Sequence, residues 1–246
     1  MDPLPKDIRR NIEELVAHYS SHKDNFEQFL EHLRIHIGGA KALVPYIHSY
    51  KSRVKDVEQL RKKLIRKWQD SVTNGADFEL TRDNLFGKIN DLAGFRILHL
   101  YTQQYREINQ HLKAIFEEQR YPIIEGPIAK TWDDESRRFF AELGIATEDS
   151  PTMYTSVHYV IETNSRTSYT CEIQVRTLME EVWGEVDHAI NYPVKAGSLA
   201  CREQIAALAR VTSGCTRLVD SIFRSQLEWQ KTSSKSSRGR KHKTVA

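Results

Sequence analysis

The residues on either side of position 165 constrain the fold most, because they alternate in polarity with a period of two. The stretch 154–177 reads YTSVHYVIETNSRTSYTCEIQVRT. Alternate side chains of a β-strand point to opposite faces, so every second residue shares one face. One face then carries Val157, Tyr159, Ile161, Cys171, Ile173 and Val175. With the turn-forming ETNSRTS between them, the two runs predict an antiparallel hairpin with this face in the core.

The opposite face of the hairpin carries a mixed set of polar side chains. They are Tyr154, Ser156 and His158 on the first strand and Glu172, Gln174 and Arg176 on the second. A face exposed to water needs only polar residues in any order, and this interpretation stays open for the hairpin by itself. An aromatic ring, an imidazole, a carboxylate, an amide and a guanidinium also suit a polar ligand that has a ring and phosphates, with a metal ion beside it.

Apolar periodicity predicts the remaining elements and the class of fold. We expect two helices within 6–38 and further helices over 53–69, 104–119, 133–143, 177–190 and 198–230, the last as one helix or two. A strand is predicted over 92–100, a short strand or an extended stretch over 120–126 and a loop over 144–153. The helix 177–190 is expected to turn an apolar stripe inward, namely Leu178, Val182, Val186 and Ile190. This order predicts an α+β fold, a small mixed β-sheet flanked by helices with N- and C-terminal helical extensions.

Cysteine content and charge limit the class of protein. The cysteines, Cys171, Cys201 and Cys215, are odd in number and form no CxxC pair, which favours reduced thiols in the cytoplasm without a structural zinc site. The N-terminus lacks the apolar core of a signal peptide and no apolar run reaches about 18 residues, so we expect no membrane association. The tail 231–246 holds six Lys and Arg residues and no acid. Such a tail predicts disorder, and contact with nucleic acid is its functional alternative.

Charged residues in three segments stand where phosphate and metal chemistry requires them. SRVKDVEQLRKK, residues 52–63, begins the third predicted helix with Arg53 and Lys55, and cations at a helix N-terminus attract polyphosphates. A basic helix face exposed to water is the alternative for this segment. Asp91 precedes a predicted strand, where it is either a ligand for Mg²⁺ or a turn residue. Glu172 lies in the middle of a strand, where burial requires a partner such as a metal ion or Arg176.

These segments resemble one family of enzymes. Over roughly residues 40–195, the order and spacing of four motifs resemble the synthetase domain of RelA/SpoT-type alarmone synthetases. The motifs are SRVK with the following KK, DLAGFR, YTSVH and EIQVRTLMEEVWGEVDH. The EIQVRT block, with Trp183 and His188 downstream, is its most specific part. Family members transfer pyrophosphate from ATP to the 3′-hydroxyl of GDP or GTP with Mg²⁺, and their fold resembles the nucleotidyltransferases.

The resemblance implies an organisation like that of the small alarmone synthetases, with no hydrolase domain. No HDxxED-type signature of a metal-dependent hydrolase occurs in the sequence. The expected segments are N-terminal helices over 1–40, a synthetase domain over 41–195, a C-terminal helix or helices over 196–230 and the basic tail over 231–246.

The resemblance also implies a role for each residue that matches a family motif. Arg53 and Arg96 would lie on the two faces of the ATP adenine, while Lys55 and Lys63 would hold the ATP phosphates. The predicted catalytic residues are Asp91, Glu172 and Gln174, of which Asp91 and Glu172 would bind Mg²⁺. For Glu172 the alternative to a metal ligand is the acceptor of the 3′-hydroxyl proton, and Gln174 would orient that hydroxyl. The acceptor nucleotide would meet Tyr154, by base stacking, together with His158 and Arg176.

Several positions depart from the family pattern, mainly on the acceptor side. Before Tyr154 this chain has DSPTM, where the family has a Lys and then Asn-Gly or Ser-Gly. Three single residues also differ: Glu181 stands in place of an Asn, Asp187 in place of a Glu and Pro193 in place of a Lys. Altered acceptor pockets occur in relatives that pyrophosphorylate the 3′ end of tRNA, so this acceptor stays open beside GDP and GTP. An inactive nucleotide-binding module is a third alternative, against which the retained acidic pair argues. A homo-oligomer is among the assembly states left open.

Overall fold

The computed structural model of the chain describes residues 4–191 and 198–241, with side chains described through residue 233. Its helices are α1 (Lys6–Ser21), α2 (Lys23–Gly39), α3 (Val57–Thr73), α4 (Leu85–Lys88), α5 (Tyr105–Glu118), α6 (Asp134–Glu142), α7 (Leu178–Asn191) and α8 (Leu199–Lys241). Its strands are β1 (Ser49–Val54), β2 (Ala93–His99), β3 (Ile123–Thr131), β4 (Ala146–Asp149), β5 (Ser156–Glu162) and β6 (Thr170–Thr177). Among the described residues, none of the helices has both the length and the apolar character needed to cross a bilayer.

The six strands form one mixed sheet in the order β1-β2-β6-β5-β3-β4. The β2–β6 and β3–β4 pairs are parallel, and the β1–β2, β5–β6 and β3–β5 pairs are antiparallel. The predicted hairpin supplies the two central strands, and its cross-strand pair Tyr159–Ile173 is fully buried. The expected α+β fold, with a mixed sheet flanked by helices and helices at both ends, is confirmed.

The N-terminal helices pack on the same core as the sheet. Leu15 of α1 and Leu33 of α2 are fully buried and belong to one apolar cluster with Phe95 of β2. A buried hydrogen bond adds to this packing, because the Tyr19 hydroxyl donates to the Lys55 carbonyl oxygen at 2.6 Å. Helix α1 therefore supports the segment that joins β1 to α3.

The helix predicted over 53–69 begins four residues later than expected, because β1 precedes it. Lys51, Arg53 and Lys55 recur with period two, which suits a strand paired with β2. Asp56 then caps α3, since its carboxylate accepts hydrogen bonds from the backbone N–H groups of Glu58 and Gln59 at 2.9 and 3.2 Å. Arg53 consequently lies on a strand and not at a helix start.

The predicted inward stripe of α7 is wrong. Val182, Val186 and Ile190 are 52%, 38% and 46% exposed, whereas Glu180 and Glu181 are buried. Apolar periodicity identifies a helix but does not reveal which face meets the sheet, and here the buried face meets arginine side chains. The stretch 144–153, predicted as a loop, contains β4, which pairs with β3. Its sequence ATED has no alternation of apolar and polar residues, so local periodicity does not reveal it.

The C-terminal segment forms one helix. Helix α8 runs from Leu199 to Lys241, so it continues into the tail that was predicted to be disordered. The predicted departure at Pro193 lies outside the described residues, as do residues 242–246.

Candidate active site

A cavity of about 780 Å³ opens over the polar face of β1, β2 and β6. Its floor is this part of the sheet, and its wall consists of residues 151–154 with parts of α7 and α8. Seven of the ten predicted site residues line it, namely Arg53, Asp91, Arg96, Tyr154, Glu172, Gln174 and Arg176. Of the other three, Lys55 and Lys63 contact Asp91, and His158 contacts Glu172.

Strand register brings the floor residues together. In the parallel pair, Gly94 lies opposite Glu172 and Arg96 lies opposite Gln174, while in the antiparallel pair Arg53 lies opposite Gly94. These residues share one face because each is two positions from the next along its strand. Gly94 stands between two functional side chains, and a Cβ atom there would lie 3.8 Å from Cγ of Arg53. Such a distance is an ordinary van der Waals contact, so a methyl group would fit at Gly94.

Asp91 is bound by two lysines. Nζ of Lys63 donates to Oδ1 of Asp91 at 2.7 Å, and Nζ of Lys55 lies 2.9 Å from Oδ2. Burial alone would raise the pKa of Asp91, but the bonds from both lysines outweigh it and lower that pKa. Asp91 is consequently a carboxylate at neutral pH, and its lysines are positioned beside the floor of the cavity.

Glu172 is held by two polar neighbours. Nδ1 of His158 lies 2.8 Å from Oε1 of Glu172, and Nε2 of Gln174 donates to Oε2 at 3.1 Å. Burial alone would raise the pKa of Glu172, but the hydrogen bond and charge of His158, together with the hydrogen bond from Gln174, lower that pKa. Arg176 is not the partner of Glu172 that was suggested, because its guanidinium pairs with Glu181. His158 lies on the neighbouring strand β5, opposite Gln174, and is not among the residues that line the cavity.

The two carboxylates fit the hard oxygen donors that Mg²⁺ prefers. Asp91 and Glu172 line the same cavity, and the charge of Asp91 acts on Glu172. No cluster of three or more metal-ligating side chains occurs among the described residues. Since Mg²⁺ is commonly held by one or two carboxylates plus substrate phosphates and water, this pair fits such an ion.

Glu181 joins three cations from three different strands. Arg96 Nη1 donates to both carboxylate oxygens of Glu181 at 3.0 Å, Lys51 Nζ donates to Oε1 at 2.8 Å, and Arg176 also pairs with Glu181. The exposed Glu185 lies 3.3 Å from Arg96 and 3.7 Å from Lys51. Burial of Glu181 is outweighed by the Lys51 hydrogen bond and the arginine charges, so its pKa is well below the usual range. Glu181 therefore ties α7 to the floor.

A glycine permits this contact between α7 and the sheet. A Cβ atom at Gly184 would lie only 2.8 Å from Nη1 of Arg176. The guanidinium of Arg176 thus occupies the space that any larger residue at this position would need.

Aromatic rings form the wall of the cavity. The ring of Tyr154 lies nearly parallel to that of Trp183, with an interplanar angle of 13° and centroids 6.4 Å apart. Nε1 of Trp183 donates to the carbonyl oxygen of Ile205 at 3.0 Å, which anchors the ring to α8. The N–H of Thr155 donates to Oε2 of Glu180 at 2.9 Å. Tyr154 is therefore positioned by stacking on Trp183 and by the hydrogen bond from the neighbouring Thr155 to Glu180.

Two basic residues that line the cavity, Lys51 and Arg202, were not among the predicted site residues. Lys51 could have been found, because it continues the period of two that links it to Arg53 and Lys55. Arg202 lines the cavity from α8, and no local pattern around it indicates this position.

The chain is similar to known proteins over most of its length. Residues 52–197 match the family described as "Region found in RelA / SpoT proteins". The fold is similar to a GTP pyrophosphokinase family protein from Streptococcus pneumoniae, with 18% identity, a TM-score of 0.62 and coverage of 86% of this chain and 96% of that chain. It is also similar to small alarmone synthetase 1 from Bacillus subtilis bound to its product pppGpp, with 18% identity, a TM-score of 0.58 and coverage of 83% and 95%.

The same Bacillus subtilis protein bound to AMPCPP has 17% identity, a TM-score of 0.55 and coverage of 82% of this chain and 94% of that chain. No curated protein matches the chain. At these identities the solved structures show the shared fold, whereas the family match covers more than half of the 246 residues. The chain therefore belongs to the RelA/SpoT family.

Proposed function

We propose that this protein transfers the pyrophosphoryl group of ATP to the 3′-hydroxyl of GDP or GTP. The observation that carries the proposal is a single cavity with two distinct sides: a floor of carboxylates and cations, and an aromatic wall at Tyr154 and Trp183. Family membership supports the class of reaction, and two similar structures are described as bound to pppGpp and to AMPCPP.

The donor nucleotide lies on the floor in this proposal. Arg53 and Arg96 are diagonal neighbours on β1 and β2, since Arg53 pairs with Gly94 and Lys51 pairs with Arg96. Diagonal neighbours are separated by about 7–8 Å, which leaves room for one aromatic ring between two guanidinium planes. Lys55 and Lys63 leave Asp91 and bind the polyphosphate.

The reaction forms one bond and breaks one. The 3′-oxygen of the acceptor attacks the β-phosphorus of ATP, the bond between the β-phosphorus and the α–β bridging oxygen breaks, and AMP leaves with that oxygen. The carboxylate of Glu172 accepts the hydroxyl proton, and its lowered pKa means that it is ionised at neutral pH. Asp91 and Glu172 would hold Mg²⁺, which would supply positive charge that offsets the charge of the phosphates.

The acceptor lies against the wall. Its base stacks on Tyr154, and the 3′-hydroxyl reaches Glu172 and Gln174 on the floor. Base stacking on an aromatic side chain contributes roughly 1–3 kcal/mol and tolerates different bases. Tyr154 therefore supports binding of a nucleotide without selecting guanine by itself.

A second candidate acceptor is the 3′ end of tRNA. One observation favours it: basic residues recur at seven-residue intervals on the exposed side of α8, at Arg210, Arg217, Arg224 and Lys231. Arg217 is paired with Asp133 and Glu135, so this stripe is only partly available to phosphates.

Radiolabel transfer tests the proposal and separates the acceptors. Purified protein is incubated with γ-³²P-ATP, Mg²⁺ and either GDP, GTP or deacylated tRNA. We expect label in GDP or GTP. Label in tRNA alone would establish the second candidate, and no label in any acceptor would leave an inactive nucleotide-binding module. The matched control is Asp149→Asn, which removes a carboxylate that is 87% exposed and lies outside the cavity lining.

A further inference from the structure

The cations that line the cavity differ in whether an acid already neutralises them. Lys51 and Arg96 pair with Glu181 and Glu185, and Arg176 pairs with Glu181. Among the described lining residues, the guanidinium groups of Arg53 and Arg202 have no acidic partner within ion-pair distance. These two groups are consequently available for a new anion without breaking a protein ion pair.

The two unpaired guanidinium groups belong to different sides of the cavity. Arg53 lies on β1 in the floor, whereas Arg202 lies on α8 in the wall. Arg202 is three residues before Ile205, or about 4.5 Å along the helix axis, and the two residues share a face of α8. Since Ile205 accepts the hydrogen bond from Trp183, Arg202 lies beside the aromatic wall.

Asp187, an acid of α7 that lines the cavity, is hydrogen-bonded within its own helix. Asp187 lines the cavity with Arg202, but Nδ2 of Asn191 donates to Oδ1 of Asp187 at 2.7 Å. No ion pair joins Asp187 to Arg202. A neutral amide therefore satisfies one oxygen of the carboxylate and leaves the guanidinium charge uncompensated.

We propose that Arg202 binds the 5′-phosphates of the acceptor nucleotide. The inference rests on the proposed function and adds a specificity-determining residue to it. The base of the acceptor stacks on Tyr154, and Arg202 extends from α8 beside the stacked rings. Guanidinium groups bind phosphates through charge-assisted and often bidentate hydrogen bonds, so an acceptor with more 5′-phosphates binds more tightly.

Kinetics with acceptors of increasing phosphate number test the assignment. KM values for GMP, GDP, GTP and ATP are measured for wild-type protein, Arg202→Ala and Arg202→Lys. Loss of one charge-assisted hydrogen bond corresponds to about a tenfold rise in KM. We expect Arg202→Ala to raise KM about tenfold for GTP, less for GMP and not for ATP. Arg202→Lys should recover part of the loss, because its ammonium keeps the charge without the planar fork.

The control is Arg138→Ala on α6, which removes an exposed arginine outside the cavity lining. It should leave every KM unchanged. Three results for Arg202→Ala would overturn the assignment of Arg202 while the proposed function stands. They are a KM for GTP equal to that of wild type, a rise in KM that is equal for GMP and GTP, or a rise in the KM of ATP. Wild-type protein that labels no guanosine nucleotide would overturn the proposed function itself, and the acceptor role of Arg202 with it.

Discussion

The floor and the wall of the cavity are held by different interactions. On the floor, carboxylates and cations neutralise one another over short distances, as in the Asp91 contacts with Lys63 at 2.7 Å and Lys55 at 2.9 Å. The wall is held by the stacking of Tyr154 on Trp183 and by a backbone bond to Glu180, and it contains the unpaired Arg202. Glu181 is the link between the two, since it lies on α7 and contacts β1, β2 and β6.

This difference suggests that the floor serves catalysis and that the wall serves recognition of the acceptor. Hydrogen-bonded strands hold their side chains in a fixed register, which suits the placement of charges around a reacting phosphorus. A loop beside two helices determines shape and stacking, which suits recognition of a particular acceptor. We therefore expect floor substitutions to change the rate or ATP affinity, and wall substitutions to change acceptor affinity.

The strongest test of the floor is removal of its two carboxylate charges. Asp91→Asn and Glu172→Gln keep side-chain volume, and each should lower kcat by ~10²-fold or more, because metal binding or proton acceptance is lost. Steady-state kinetics measure kcat, and circular dichroism checks that the fold is retained. Wild-type turnover in either variant would remove that residue from the site.

The link between floor and wall is tested by Glu181→Gln. The buried Arg176 loses its ionised partner, and breaking a buried ion pair lowers the free energy of unfolding by about 3–5 kcal/mol. At roughly 2–4 °C per kcal/mol for a chain of this size, Tm should fall by about 6–20 °C. Glu185→Gln is the matched control, because Glu185 contacts the same Arg96 and Lys51 but is 57% exposed. A Tm equal to that of the control would show that Glu181 does not hold the two parts together.

Glu180, which accepts the hydrogen bond from Thr155 in the wall, predicts that the free energy of unfolding depends on pH. Burial raises the pKa of Glu180 from its ordinary value of 4.5 to about 7, although the Thr155 N–H favours the ionised form. Between these pH values the folded state keeps a proton that the unfolded state has lost, so stability falls as pH rises and stays lower above about 7.

This loss is bounded by about 3 kcal/mol for a shift of this size. Glu180→Gln does not titrate, so its Tm relative to wild type should increase between pH 5 and pH 8, as measured by thermal melts. A constant difference over this range would contradict the raised pKa of Glu180.

The wall itself is tested by Tyr154→Ala. Loss of base stacking, roughly 1–3 kcal/mol, should raise the acceptor KM about 5- to 150-fold and leave the KM of ATP unchanged. Tyr154→Phe keeps the ring and serves as the control. An equal rise for both substrates, or a rise for ATP alone, would place Tyr154 on the wrong side of the cavity.

The smallest expected effects concern the adenine on the floor. Arg53→Lys and Arg96→Lys remove a planar group that stacks, worth about 0.5–2 kcal/mol per face, and should raise the KM of ATP about 2- to 30-fold. Lys63→Arg keeps a phosphate-binding charge and should have a milder effect. Unchanged ATP kinetics in Arg53→Lys would remove this residue from the donor site.

Much of this fold could be predicted from local patterns. The alternation in residues 154–177 predicts the two central strands, and the apolar stripes of α1 and α2 predict helices that pack on the core. The same patterns failed where the spacing of residues is compatible with both a helix and a strand. Residues 53–56 were assigned to a helix because the apolar stripe of α3 begins nearby, although Asp56 caps that helix and Arg53 lies on β1.

The sequence by itself determined which side chains share a face and which motifs carry the family resemblance. Only the tertiary structure decided what those faces meet. Arg96 and Glu181 are 85 residues apart, and Lys51 and Glu181 are 130 apart, so no local period connects them. Arg202 enters the cavity because α8 packs on Trp183. Ion pairs and cavity walls arise when distant elements pack together, whereas periodicity reports only the conformation of neighbouring residues.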